Sequence, residues 1–205
     1  TQDCPEALGG AGELVRRIAV RRAVLPRALA PSGALRELMG ELDRRGVAFG
    51  PAEFTGRLQG PEDVGWEFST DAPERGPPGA GSEALAVRVG LAGTAVLFAV
   101  MRSSEGVKRL LARGGGTLKA DALRLIPGPA GHWPVETALL IAQSGARTLI
   151  AGEGSSWPEE GTGLDLMAVA KARGLRVLCP SREGSLRVGE SGPEGFLAFR
   201  GGQWR

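Results

Sequence analysis

Between residues 84 and 179 the chain alternates short apolar segments with segments of helical periodicity. Strands are predicted at "ALAVRVGL", at "TAVLFAV" and at residues 123–126, 147–151 and 175–179. Helices are predicted at "SSEGVKRLLAR" and at residues 134–144 and 163–173. Strands that alternate with helices through short loops pair in parallel, with right-handed crossovers. This order predicts an α/β protein whose C-terminal half is a doubly wound, mainly parallel, Rossmann-like sheet.

The N-terminal part of the sequence is predicted to form an appendage of helices and β-strands. Residues 12–22 and 33–45 are expected to be helices, the second with Ser32 as N-cap and Gly46 as its end. Short strands are expected within "VAFGPAEFTGRL" and "VGWEFST", and the tail "GFLAFRGGQWR" can add an edge strand. A Pro/Gly-rich segment at residues 72–83 marks a loop or linker. We therefore predict an appendage at 1–80 and a Rossmann-like domain at 81–205.

Composition removes several classes of protein. The two cysteines, Cys4 and Cys179, do not form the disulfide framework of a small secreted domain, so a reducing, cytoplasmic environment is expected. The longest apolar run, "EALAVRVGLAGTAVLFAVM", contains Arg88 and several small turn-prone residues. That run predicts two buried strands and no contact with a membrane.

The loop "PGPAGHW" follows the strand at 123–126 and leads into a helix. A helix N-terminus offers unpaired N–H groups to a phosphate, so Gly128 and Gly131 are candidate residues for binding a nucleotide cofactor. However, Pro127, Pro129 and Pro134 each remove one N–H donor, and Trp133 adds bulk where a pyrophosphate needs close approach to the backbone. A structural turn between strand and helix is the alternative interpretation.

The loop "GEGSSWPEEGTGLD" follows the next parallel strand and is expected to converge with the first loop. Ligands of open α/β sheets bind beyond the carboxyl ends of the strands. Glu153 occupies the position of an acid that binds ribose hydroxyls, and Ser155 and Ser156 are hydrogen-bond donors beside it. A serine-rich turn and acids at a helix start are also common without any ligand.

Over residues 120–190 the chain resembles the first βαβαβ unit of short-chain reductases, in particular ketoreductase domains. The matching segments are "RLIPGPAGHW", "AQSGARTLIAGEG" and "GTGLDLMAVAKARGLRVLCPS". Gly128 and Gly131 align with family glycines, whereas Pro134 replaces the glycine at the helix start. The chain has no Tyr, so no catalytic tyrosine is present. The resemblance thus implies a degenerate member that catalyses no reduction.

A second resemblance is to the RecA-like ATPase core. It rests on "KRLLARGGGTLKADALRLIPGP" and "LDLMAVAKARGLRVLCPSREG". Where a phosphate loop has Gly-Lys-Ser/Thr, this chain has Gly131, His132 and Trp133, so the lysine that reaches the β- and γ-phosphates is missing. This resemblance implies a DNA-repair accessory without ATPase activity.

Metal and nucleophile chemistry have little support in the sequence. His132 and Glu136 have the spacing of two ligands on one helix face, but the chain contains a single His to form such a site, and no metal is expected. "GEGSS" is not the Gly-x-Ser-x-Gly elbow of serine hydrolases. We therefore predict no catalytic residue, and the sequence favours a protein that is not an enzyme.

The first predicted helix is rich in arginine. Arg16, Arg17, Arg21 and Arg22 cover more than one of its faces, which suits nucleic-acid phosphates or an acidic protein partner. A solvated helix surface is the alternative. Trp66, Trp133 and Trp157 lie beside turn residues, where exposed indoles would mark an interface and buried ones would fill the core edge.

Three functions follow from these observations. The leading hypothesis is a non-catalytic accessory or interaction module that works through a protein partner or a homo-oligomer and retains at most a weak nucleotide or small-ligand site. The first alternative is an enzyme that uses a nucleotide or sugar-type substrate at the loops 128–136 and 152–160. The second is the RecA-like DNA-repair accessory.

Overall fold

The computed structural model describes residues 10–25, 32–51, 55–59, 65–70, 84–91, 93–127, 133–150, 164–178, 186–188, 196–200 and 203–204. The chain divides into two compact units. Unit 1 comprises Thr1–Phe54 and Ala72–Ser82, and unit 2 comprises Thr55–Asp71 and Glu83–Arg205. This division differs from the predicted boundary at residue 80, because strands within Thr55–Asp71 pair with the sheet of unit 2.

The described part of unit 1 contains two helices and two parallel strands. Its elements are α1 (Ala11–Arg17), β1 (Arg22–Leu25), α2 (Gly33–Arg44) and β2 (Ala48–Pro51). The Ser32 hydroxyl accepts a hydrogen bond from the Leu35 amide at 3.1 Å, and Gly46 follows α2 with a φ of 64°. Both predicted boundaries of this helix are therefore confirmed. The core of the unit is formed by apolar residues of both helices, of β1 and of the position before β2, namely Val15, Leu25, Leu35, Leu38, Leu42 and Val47.

The first helix is shorter than predicted. It ends at Arg17, and Ile18 already has the extended angles φ −119° and ψ 153°. The chain leaves the helix because Arg22–Leu25 pair with β2 and bury Leu25 against the unit 1 core. Helical periodicity alone could not reveal this competition, since the pairing partner lies more than twenty residues away.

Unit 2 is built on a seven-stranded mixed sheet. Its strands are β3 (Thr55–Gln59), β4 (Gly65–Thr70), β5 (Ala84–Leu91), β6 (Thr94–Met101), β7 (Ala122–Pro127), β8 (Thr148–Ile150) and β9 (Arg176–Leu178). They lie in the order β3-β4-β5-β6-β7-β8-β9. The pairs from β3 to β6 are antiparallel, and those from β6 to β9 are parallel. Three helices connect the parallel strands, namely α3 (Ser104–Gly114), α4 (Thr137–Ser144) and α5 (Leu166–Ala172).

These helices cover one face of the sheet. Their buried residues, among them Val107, Ile141 and Ala170, share a core with strand residues of alternate positions. We call this side the covered face, and its strand residues are Ala84, Ala86, Leu97, Ala99, Met101, Leu123, Leu125 and Leu149. Right-handed crossovers between strands that follow each other in one direction across a sheet place every helix on the same side. The sequential strand order is therefore the reason why α3, α4 and α5 lie on the same side of the sheet.

The opposite side, which we call the open face, receives the intervening residues of the same strands. Its strand residues include Val87, Val89, Val96, Phe98, Val100, Arg124 and Ile150. Val96 and Val100 are buried, but Phe98 and Trp66 are 41% and 43% exposed. Among the described residues of unit 2, no helix contributes to the buried cluster on this side.

The α/β prediction is confirmed, as is the parallel pairing of the strands that alternate with helices. The doubly wound, mainly parallel Rossmann-like arrangement is not confirmed. A doubly wound sheet needs a reversal of strand order, and the described strands run without one. Half of the pairings in this sheet are also antiparallel.

The apolar run at residues 84–101 forms β5 and β6, as predicted. Within the described part of the chain, no helix has the length and apolar character needed to cross a membrane. A separate three-stranded sheet is formed by β10 (Leu186–Val188), β11 (Phe196–Arg200) and β12 (Gln203–Trp204), and the last two of these strands belong to the tail. The predicted edge strand was thus wrong, because β11 pairs with β10 and β12.

Candidate functional site

The carboxyl ends of the parallel strands β6 and β7 lead into helices α3 and α4, which contact each other. This edge is where ligands of α/β sheets bind. The described residues at the edge include Ser103 and Ser104 at the start of α3, and Trp133, Glu136 and Thr137 at the start of α4. They form the candidate site of this protein.

Two of the three helices are capped by side chains. The Ser103 hydroxyl accepts a hydrogen bond from the Gly106 amide at 3.0 Å, and the Asp165 carboxylate accepts one from the Ala168 amide at 2.9 Å. These bonds satisfy amides that would otherwise lack partners at a helix start. Glu136 occupies the equivalent N-cap position of α4, but its side chain makes no capping bond to the helix.

The Glu136 carboxylate instead faces helix α3. Its Oε1 lies 3.4 Å from the Lys108 Nζ, and the side chain is only 11% exposed. The Ser104 hydroxyl, followed by the backbone amide of Glu136 and by Lys108, lowers the pKa of this carboxyl against the opposing effect of burial. A negative charge is therefore held at the N-terminus of α4, where it also interacts favourably with the helix dipole.

Trp133 packs into the core at the start of α4. Its side chain is 4% exposed and belongs to the cluster beneath the covered face. Among the described residues, neither its indole Nε1 nor the Glu136 Oε2 has a hydrogen-bond partner. The neighbouring Thr137 is fully buried, and its hydroxyl donates to the Met101 Sδ at 3.5 Å. The start of α4 thus contacts the end of β6 through this hydrogen bond and through core packing.

The helix at this edge begins later than predicted. The expected range was 134–144, whereas α4 spans Thr137–Ser144. Pro134 is not the first helical residue, because its carbonyl accepts a hydrogen bond from the Thr137 amide at 2.9 Å and closes a turn before the helix. The phosphate-binding arrangement requires a glycine-rich turn that opens directly into the helix, and the described residues place Trp133, Pro134 and Glu136 there instead.

The predicted cofactor-binding residues lie outside the described part of the chain. They are Gly128, Gly131, Glu153, Ser155 and Ser156. Their convergence on a nucleotide stays a prediction. His132, the proposed partner of Glu136 in a metal site, lies outside as well. In the described ranges, no group of three His, Cys, Asp or Glu side chains is arranged to hold a metal ion.

The arginines of unit 1 are partly neutralised. Arg16 Nη1 lies 2.9 Å from Glu13 Oε2, Arg17 Nε lies 2.7 Å from Glu13 Oε1, and Arg16 Nε lies 3.6 Å from Glu41 Oε2. Arg45 and Arg44 also contact Glu41, at 2.9 Å and 2.6 Å. Hydrogen bonds from arginines, chiefly from Arg17 to Glu13 and from Arg45 to Glu41, lower the pKa of both carboxyls.

The expectation that Arg16, Arg17, Arg21 and Arg22 share one helix was wrong, since α1 ends at Arg17 and Arg22 begins β1. The two helical arginines contact carboxylates, and Arg21 and Arg22 are exposed beyond the helix. The structure therefore does not form the continuous basic helix on which the nucleic-acid prediction relied. Binding to nucleic acid stays a prediction.

Sequence reasoning missed two functional candidates. Lys108 meets Glu136 only because α3 and α4 lie side by side, and spacing within one helix cannot reveal such a pair. Arg124 lies inside the apolar strand β7, on the open face beside Phe98. A charged residue inside the apolar segment "ALRLIP" was the available signal.

In comparisons with known proteins, no family model matches the chain, and no curated protein matches it either.

Proposed function

We propose that this chain is a non-catalytic interaction module, in which a Rossmann-like parallel half no longer serves a nucleotide. The observation that carries the proposal is the Glu136 carboxylate at the start of α4. It is nearly buried, ionised and held by Lys108 at the position where a phosphate would need the helix dipole. A phosphate placed there would meet a like charge in a region of reduced solvent screening.

Trp133 supports the same conclusion. Nucleotide-binding turns need close approach of the backbone to the pyrophosphate, which the glycines of such turns permit. Here the indole is packed into the core next to the helix start, and replacing it would require repacking. The chain's absence of Tyr also removes the catalytic tyrosine that the reductase resemblance would require.

A module that works through a partner needs exposed apolar surface. Seven large apolar residues of the described chain are well exposed, namely Leu14, Ile18, Trp66, Phe98, Val135, Leu139 and Met167. Single exposed residues of this type are ordinary, but Trp66 and Phe98 are aromatic and lie on the same face of one sheet. Aromatic residues are enriched at interfaces, so this face favours a binding role over an enzymatic one.

The test is thermal unfolding of the full chain with NAD(P), ATP and nucleoside diphosphates. A ligand at one hundred times its dissociation constant adds about 2.7 kcal/mol of stability, which is easily measured as a shift in Tm. We expect no shift at millimolar nucleotide. A dose-dependent rise in Tm, or any hydrolysis or hydride transfer, would overturn the proposal.

Glu136→Gln is the matched variant for this test. If the carboxylate excludes anions, removing its charge increases the affinity for inorganic phosphate and for ATP relative to the wild type. Glu105→Gln is the control, because Glu105 lies in the first turn of α3 with an exposed side chain that pairs with Arg109 at 3.6 Å. An equal change in anion affinity for both variants would show that Glu136 does not exclude anions from the start of α4.

A further inference from the structure

The open face contains a patch in which two exposed aromatic residues are linked by half-buried neighbours. Trp66 is the register partner of Val89, and Val87 is the register partner of Phe98. Val87 and Val89 lie two residues apart on β5 and therefore on the same side, which joins the two aromatic residues across the sheet. Arg124 follows as the register partner of Phe98 on β7. We call these residues, Trp66, Val87, Val89, Phe98 and Arg124, the Phe98 patch.

Among the described residues of unit 2, no helix packs on the face that contains this patch. The helices α3, α4 and α5 all pack on the covered face, as their buried residues show. Parallel strands such as β6 and β7 are usually buried on both sides by helices. The patch extends across four strands, about 14 Å at a spacing near 4.8 Å, which is wide enough for one helix of about 10–12 Å diameter with its side chains.

Arg124 gives this apolar patch a charge preference. Its guanidinium is half-buried, and its hydrogen bond is from Nη1 to the Ile150 carbonyl oxygen at 3.3 Å. No carboxylate among the described residues pairs with it. A guanidinium has five N–H donors in a planar fork that matches a carboxylate, so most of its donors are available on this side of the sheet.

Arg88 provides the internal comparison. Arg88 on β5 lies on the other side of the sheet, where its Nη1 is 3.3 Å from Glu67 Oε2 and its Nε donates to the Lys119 carbonyl at 2.7 Å. The chain therefore supplies a carboxylate for Arg88 and none, within the described residues, for Arg124. Burial lowers the pKa of Arg124, so holding its charge on the open face is costly without an anionic partner.

We infer that the Phe98 patch docks an amphipathic helix of a partner protein that carries a Glu or Asp within its apolar stripe, with the carboxylate paired to Arg124. The inference rests on the proposed function, because it names the surface and the partner chemistry of the interaction module. The apolar side chains of the partner cover Phe98 and Trp66, and its carboxylate receives the free guanidinium donors. This arrangement adds a second helical layer to the sheet.

The test uses a displayed library of amphipathic helices randomised at the positions of the apolar stripe and selected on the full-length protein. We expect the enriched helices to carry one Glu or Asp among large apolar residues. Synthetic peptides of the enriched sequence, with Gln or Lys at the acidic position, are then compared by fluorescence anisotropy. The acidic peptide should bind at least about thirtyfold more tightly than the Lys peptide, which corresponds to the loss of one buried charge pair.

Variants of the protein locate the site. Arg124→Glu should weaken the acidic peptide by a similar factor and restore binding of the Lys peptide, whereas Arg88→Gln should change neither affinity. Arg124→Leu is a second variant that keeps the sheet apolar, and it should remove the preference for acid over Gln. Far-ultraviolet circular dichroism and urea midpoints confirm that each variant is folded.

Three outcomes overturn the inference. They are a selection that enriches no acid-bearing helix, an acidic peptide that binds Arg124→Glu as well as the wild type, and a concentration-dependent dimer that Phe98→Asp dissociates. The last would identify a second copy of the chain as the occupant. Nucleotide binding at α4 would instead overturn the proposed function without altering the acid preference of the patch, so the two failures are distinguishable.

Discussion

The two faces of the seven-stranded sheet are built from the same strands and have different surroundings. On β6, Leu97 is fully buried beneath the helices, whereas the adjacent Phe98 on the open face is 41% exposed. The strand order explains this difference, because sequential right-handed crossovers put α3, α4 and α5 on one side. Side-chain hydrophobicity is similar on both sides, so topology, and not composition, decides which side is covered within unit 2.

The largest effect is expected from a matched pair of truncations on β6. Leu97→Ala should lower the free energy of unfolding by about 2–5 kcal/mol, because it leaves a cavity in a closely packed core. Phe98→Ala should cost only about 1 kcal/mol, since its ring is already partly hydrated. Urea denaturation of both variants measures the difference. Equal losses would mean that the open face is as tightly packed as the covered one.

Packing on the covered face can be tested at Gly114. A Cβ at this position would lie 2.5 Å from the Leu118 Cγ, and Leu118 is fully buried. Gly114→Ala should therefore destabilise the protein by about 1–3 kcal/mol through overpacking. Gly116→Ala is the control, because nothing lies within 4 Å of its Cβ. Thermal unfolding that ranks the two variants in the opposite order would contradict this account.

The open face makes a prediction of opposite sign. Arg124→Leu should raise the free energy of unfolding by up to about 1 kcal/mol, because it replaces a half-buried, unpaired guanidinium with an apolar side chain. Arg88→Leu should lower it, since the salt bridge between Arg88 and Glu67 on the covered side would be lost. Chemical denaturation at neutral pH provides both values. Destabilisation by Arg124→Leu would indicate that the guanidinium already has a stabilising role in the free protein.

The smallest effect is a pH dependence at Glu136. Its folded pKa is lowered from the ordinary value of 4.5, so its ionised form stabilises the fold above that pH. This contribution is lost as the pH falls through the folded pKa, because the unfolded state then binds a proton more readily. The stability difference between the wild type and Glu136→Gln should be constant near neutral pH and shrink below 4.5.

Glu13 and Glu41 have lowered pKa values as well and are present in both proteins. Their contributions to acid unfolding therefore cancel in the comparison between the wild type and Glu136→Gln. A difference that is independent of pH would show that Lys108 and Ser104 do not hold the Glu136 charge.

Much of the parallel half was predictable from local patterns. The strands β6–β9 and their helices follow from periodicity. In unit 1, Ser32 and Gly46 likewise mark the ends of α2 as expected. Side-chain capping and positive φ depend on a few neighbouring residues, which explains this success. The end of α1 was not predictable in the same way, because it depends on the pairing of β1 with β2.

The strand order and the candidate site depend on contacts between distant segments. The same alternation of strands and helices is compatible with a doubly wound sheet and with the sequential order observed here. Similarly, the sequence places Glu136 at the spacing of a second metal ligand beside His132, whereas its observed partner is Lys108 on a different helix. The sequence contains each of these residues but does not state which helices lie side by side.

The sequential strand order also has a kinetic consequence. Each strand of the large sheet pairs with the strand that precedes or follows it along the chain, so each pairing closes only the segment between two consecutive strands. The sheet can therefore grow outward from the β5–β6 hairpin, one strand at a time, without waiting for a distant segment to insert between strands already paired. Pairing of consecutive strands costs less loop-closure entropy at each step than pairing of distant strands would, which favours faster refolding.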